Sequence, residues 1–140
     1  MVRHQALVFA AMVVLAASID AAPQSSGKRG YDLVMKDVGS TVAALQKNLD
    51  GGDVAAVAAD AGRLERLFKE TEDFWMPFKT RDALDAAKGA RDLSGTIAAA
   101  AREKDVQKAR TVAAGLGRFC TACHNSHREQ MPDQSYRIRP

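Results

Sequence analysis

The sequence is poor in several things, and each shortage narrows what the chain can be. It has two cysteines in 140 residues, so thiol chemistry is confined to one place. Aromatic residues make up 6%, and the surplus of basic over acidic residues is only +3. The basic residues do not cluster, and no run of aromatics interleaves with them. That describes a mixed, solvated surface and not a nucleic-acid footprint. No stretch reads as a strand, which removes the βαβ setting in which a C-x-x-C dithiol works as a redox pair. Proline is scarce, at four residues, and long helical stretches run between Pro23, Pro77 and Pro132.

Long apolar runs are also missing. The longest, Ala6 to Ala17, is short for a bilayer span. Arg3 and His4 precede it as a brief positive region, and small residues follow at Ala16, Ala17, Ser18, Ala21 and Ala22. This is the grammar of a secretory signal, cleaved after Ala22 or after Ser18; an uncleaved anchor is the alternative. Cleavage after Ala22 removes one base, Arg3, and one acid, Asp20, so the net charge stays at +3. About 118 residues remain, the size of one domain. The expected location is periplasmic, with no membrane attachment once residues 1–22 are gone.

What the chain does have is helical periodicity. Residues 23–30 read as a flexible lead. Helix one is expected from about Tyr31 to Leu49, with Tyr31, Met35, Val38, Val42, Leu45 and Leu49 as a coiled-coil-like seam and Asp50-Gly51-Gly52 as its stop. Helix two starts at Asp53, an N-cap residue type, and runs to about Glu72 with Val54, Val57, Ala61, Leu64 and Phe68 inward. Phe74, Trp75 and Phe78 gather around Pro77, which breaks the helix. Helix three spans about Arg81 to Ala101. Its stripe is Leu84, Ala87, Ala90, Ser94, Ile97 and Ala101, small enough for a neighbouring backbone or a flat ligand to come close. Helix four starts near Asp105, and Val106, Ala109, Ala113, Leu116, Cys120 and Cys123 form its seam; Pro132 marks the end of helical structure. Four amphipathic helices on short turns predict an all-α, antiparallel up-down-up-down four-helix bundle, with the domain at 31–130 and a tail at 131–140.

The two cysteines sit in Cys120-Thr121-Ala122-Cys123-His124. C-x-x-C-H is the attachment sequence of c-type haem: two thiols form thioethers with the porphyrin vinyl groups, and the adjacent imidazole is the proximal iron ligand. On a helix, residues three and four apart share a face, so Cys120, Cys123 and His124 can point at one macrocycle. A zinc site recruiting His127 is the first competing reading, but four ligands within eight residues of one helix struggle to surround a tetrahedral ion. A Cys120–Cys123 disulfide is the second, and it leaves His124 unexplained. Export favours haem, because C-x-x-C-H is loaded outside the bacterial cytoplasm. The expected cofactor is one covalent haem c, sunk into the bundle because the cysteines continue the seam of helix four.

Antiparallel packing would set the end of helix four against the start of helix one, and so Met35 opposite His124. Its thioether suits haem iron and raises the reduction potential; the blander reading is a core methionine at helical spacing. Arg128, one turn after His124, is a candidate partner for a haem propionate or simply a basic residue at a helix C-terminus. His127 is expected to face solvent. Phe119, Leu116 and Trp75 are expected to pack around the macrocycle or the core.

The chain resembles the cytochrome c-prime family. The stretch Tyr31 to Lys36 followed by Gly39 resembles that family's first-helix pattern, which carries a methionine or leucine at the Met35 position. The stretch Cys120 to Arg128 resembles its C-x-x-C-H-x-x-aromatic-Arg ending, with His127 in place of the aromatic. The likeness covers about residues 28–130. It implies exported four-helix bundles of two behaviours. In low-spin members the methionine completes six-coordination and the protein carries electrons. In high-spin members the distal residue shields a vacant site for NO or CO. It also implies a homodimer through helices one and two. The expected function is one-electron transfer with His124 proximal and Met35 distal, exchanging electrons with redox partner proteins. The alternative is a gas-binding haem protein with Met35 as shield. An enzyme is not expected, since the seams offer no distal His/Arg pair or carboxylate dyad for acid–base chemistry.

Overall fold

The computed structural model describes residues 30–140. The signal at 1–22 and the lead at 23–30, except Gly30, lie outside the described residues. Of the described residues 79% are helical, in an arrangement consistent with an all-α bundle. The helices are α1 (Tyr31–Gly51), α2 (Val54–Trp75), α3 (Arg81–Arg102), α4 (Val106–Ala113) and α5 (Leu116–His127). Two short strands follow, β1 (Arg128–Gln130) and β2 (Tyr136–Ile138).

Local chemistry sets the boundaries. Gly52 takes φ 72°, ψ 17°, and its N–H reaches back to the carbonyls of Asn48 and Leu49; this left-handed stop is one that glycine adopts without strain. Asp53 then caps α2 by accepting from the Ala56 N–H at 3.0 Å, and Asp105 caps α4 by accepting from the Lys108 N–H at 2.9 Å. Pro77 stands in a single 3-10 turn, Met76–Phe78, where its missing N–H costs no helical bond.

The core runs along α1 through Val34, Val38, Thr41, Leu45 and Leu49. It continues on α2 through Val57, Ala61, Leu64, Leu67, Phe68, Thr71 and Trp75. On α3 it is made mostly of alanine, with Ile97 and Ser94. Buried hydroxyls are satisfied within their own helices: Thr71 Oγ1 donates to the Leu67 carbonyl at 3.0 Å and Ser94 Oγ to that of Ala90 at 2.8 Å, so they carry no desolvation penalty. The α1 seam differs from expectation by a small rotation. Val34 holds its centre, and Met35 and Val42 flank it as half-buried side chains packed on the core.

The fourth helical segment departs more. The sequence predicts a continuous helix up to Pro132. The helix is instead interrupted at Ala114–Gly115, where the Gly115 N–H bonds the Val112 carbonyl at 3.0 Å. Leu93 of α3 lies 3.2 Å from where a Gly115 Cβ would stand, so the neighbouring helix presses into the break. The helix then stops at His127, because Arg128 turns extended at φ −115°, ψ 116°. Residues 128–138 form an antiparallel hairpin with register Arg128↔Ile138, Glu129↔Arg137 and Gln130↔Tyr136. The backbone bonds of a further helical turn are replaced by this ladder and by the Arg139 N–H to the His127 carbonyl at 2.9 Å.

Long-range contacts identify the two ends. At one, Arg110 donates to the Leu49 carbonyl, joining α4 to the end of α1. At the other, the Trp75 Nε1–H donates to Tyr31 Oη at 3.0 Å, and His127 Nε2 lies 3.0 Å from Asp82 Oδ2. The second end therefore gathers the start of α1, the end of α2, the start of α3 and the end of α5. No described helix is long and apolar enough to cross a membrane.

Candidate functional site

Cys120, Cys123 and His124 all lie on α5, each half-buried. Both thiols are free. Burial pushes both thiols up, and the charge of Asp82 adds to the effect at Cys123; at neutral pH they are uncharged. Burial, and then the Arg128 guanidinium, push the His124 imidazole down, which favours the neutral ring. No hydrogen bond engages the His124 ring among the described residues. The set is thus two unpaired soft nucleophiles and one neutral nitrogen donor on one helix face.

His127 is different, and the expectation that it faces solvent is overturned. It is buried and packs on Trp75 with ring centroids 4.9 Å apart. Its Nδ1 lies 2.7 Å from the Arg139 carbonyl and its Nε2 3.0 Å from Asp82. Both partners are oxygen acceptors, so both bonds form only when both nitrogens carry hydrogen. His127 is therefore committed elsewhere and does not complete a zinc tetrad. Among the described residues no group of three or more His, Cys, Asp and Glu is arranged to hold a metal ion.

Arg128 leaves the face expected for it. As the first residue of β1 it carries its guanidinium 3.8 Å above the Tyr136 ring, a cation–π contact. It still lies near enough to act electrostatically on His124. The expected relation one helical turn on is lost because the helix has already ended.

The surroundings of the motif are aromatic. Tyr31 stacks on Phe74 at 3.9 Å and meets Trp75 edge-on at 6.2 Å; Phe78 leans on Trp75 at 5.8 Å. Burial raises the Tyr31 phenol to about 12, opposed by the Trp75 hydrogen bond and reinforced by Cys123. Trp75 links the two elements, donating to Tyr31 of α1 at 3.0 Å and packing on His127 of α5 with ring centroids 4.9 Å apart. Met35, one turn further along α1, is half-buried at the flank of its stripe. Leu116 is buried and Phe119 half-buried against the core, as expected of packing residues.

Small residues on α3 let α5 approach closely. A Cβ on Gly89 would stand 2.3 Å from Phe119 Cε1, and Phe119 adjoins Cys120. Gly89→Ala gains about 1 kcal/mol of helix propensity, while overpacking costs about 1–3 kcal/mol. The expected net is a loss of about 1 kcal/mol in a denaturant melt, with the Phe119 ring displaced in a crystal structure of the variant.

Sequence reasoning missed the Asp82–His127 pair, whose members are separated by 45 residues and match no motif. It also missed the hydrogen bond from Trp75 to Tyr31 that joins α2 to the start of α1. A separate cleft of about 410 Å³ is lined by Asp37, Arg63, Arg66, Leu67 and Glu70, where two cations face two carboxylates.

No family model, curated protein or solved structure matches this chain.

Proposed function

We propose that the protein is an exported, periplasmic c-type cytochrome built as an antiparallel up-down-up-down bundle, with one haem bound covalently through Cys120 and Cys123. The observation that carries the reading is the C-x-x-C-H turn itself: two free thiols and a neutral, unengaged imidazole on one half-buried face. This donor set fits a haem, which needs only two thioether links and one proximal nitrogen from it, whereas a zinc ion needs four protein ligands in a structural site. The bound haem would supply a one-electron iron couple. His124 would offer the proximal nitrogen, Arg128 a positive charge beside it, and the Tyr31–Phe74–Trp75–Phe78 cluster would exclude water from that end.

Met35 is the proposed distal ligand, and electron transfer the proposed role. The bridge that Trp75 makes between Tyr31 and His127 supports it, because Met35 follows Tyr31 by one turn on the same side of α1. One observation favours a second reading, a gas-binding protein in which Met35 only shields the iron: Val34, and not Met35, occupies the centre of the seam. Absorption spectra of the ferric and ferrous protein separate the two. A low-spin ferric spectrum with a weak thioether band at long wavelength supports ligation; a high-spin one supports shielding.

Met35→Ala sharpens the distinction. Under ligation the variant turns high-spin and its reduction potential falls by on the order of 100 mV, a modest part of the range that axial ligands command. Under shielding the spin state stays and CO or NO binds faster. A variant unchanged in spectrum, potential and gas binding removes Met35 from the site.

A further inference from the structure

The last turn of α5 is held by a structure that nothing in the proposed function requires. A helix C-terminus leaves its final carbonyls without intrahelical donors. Here the returning chain supplies them: the Arg139 N–H bonds the His127 carbonyl at 2.9 Å and Arg139 Nη2 donates to the Ser126 carbonyl at 3.1 Å. The Arg128 N–H bonds the carbonyl of His124 itself. His127 then ties this assembly to the rest of the fold, one ring nitrogen on the Arg139 carbonyl and the other on Asp82 at the start of α3. The hairpin is braced internally by Arg137 on Glu129 at 2.6 Å and by Asp133, which accepts from both the N–H and the hydroxyl of Ser135.

We propose that residues 128–140 form a strap that positions His124, and that His127 and Asp82 are the residues that fasten it. His124 cannot shift without its turn, and its turn is bound to the strap by three carbonyls. His127 fastens from inside, where a charge-assisted bond is stronger than on the surface. Asp82 is 66% exposed at its side chain, so its share is reduced by solvent and it can be replaced without opening the core. The role of His124 toward haem rests on the function proposed above; the strap does not.

The test is hydrogen–deuterium exchange on the full exported chain, with His127→Phe, Asp82→Ala and Asp82→Asn. His127→Phe keeps a ring against Trp75 and loses both bonds. Strap amides, Arg139 and Met131 among them, are expected to exchange about tenfold faster or more in His127→Phe. Asp82→Ala should follow it, and Asp82→Asn, which keeps an acceptor, should recover part of the protection. The positioning role is read from the reduction potential, or, if the chain carries no haem, from the His124 ring signals in NMR; both His127→Phe and Asp82→Ala should move it. Unchanged strap exchange in both variants overturns the fastening. Faster exchange with His124 unmoved overturns the positioning. Should His127→Phe fail to fold, the two Asp82 variants decide both questions in the same way. A colourless wild-type chain with a protected strap would sink the haem and leave the strap standing.

Discussion

Trp75→Ala is expected to lower stability by about 3–5 kcal/mol, the usual cost of emptying a large buried aromatic site. Trp75 is 1% exposed and heads the fully buried side chains by volume. Its ring meets Tyr31, Phe74, Phe78 and His127, so four neighbours lose a packing partner together. The Nε1–H to Tyr31 bond at 3.0 Å is also lost, which leaves the part-buried phenol without that partner. Against a typical domain stability of about 5–15 kcal/mol this is severe. A drop of on the order of 15 °C in Tm follows for a domain of this size. Trp75→Phe keeps most of the ring and should cost less than half as much. A melt of Trp75→Ala within a few degrees of wild type would show that this cluster does not hold the end of the bundle together.

The second large effect concerns chemistry. Cys120→Ala combined with Cys123→Ala is expected to abolish covalent haem completely. The thiols are half-buried and make no disulfide, so trimming each to a methyl group should cost the polypeptide little, within about 1 kcal/mol per site. Loss of colour would then come from missing thioether links and not from a missing fold. Denaturing the purified protein and weighing the intact chain separates covalent from adsorbed haem. The double variant should show the bare polypeptide mass, and each single variant a weaker attachment through the remaining sulfur. A double variant that keeps haem after denaturation would disprove the assignment of the attachment residues.

What the sequence reveals of the fold and the site depends on how local each signal is. The first three helices are readable to within about one turn, α1 running two residues past Leu49 and α2 three past Glu72, because Asp50-Gly51-Gly52-Asp53, Pro77 and Asp105 act within one turn of the boundaries they set. The rotation of α1 is not readable: Met35 and Val42 stand seven residues apart, as Val34 and Thr41 do, and only the neighbouring helices decide which row sits inside. The hairpin escapes notice for a different reason. Its strands are three residues each, too short for a period of two to stand out. Its turn uses Gln134 at φ 67° where glycine or asparagine would have signalled a left-handed residue. The burial of His127 has no local sign at all, since its partners Asp82 and Arg139 reach it only through the fold. The C-x-x-C-H turn lies at the opposite extreme, because its donors need nothing beyond their own helix to share a face.

Covalent haem on α5 is what every functional statement above depends on, and it is read from the absorption spectrum and intact mass of the full chain, exported by a host able to mature c-type cytochromes. The expected product is a red protein whose mass exceeds that of the polypeptide by one haem and keeps that excess after denaturation, with neither Cys120 nor Cys123 open to alkylation. A colourless chain of bare polypeptide mass, with both thiols alkylated, would contradict it.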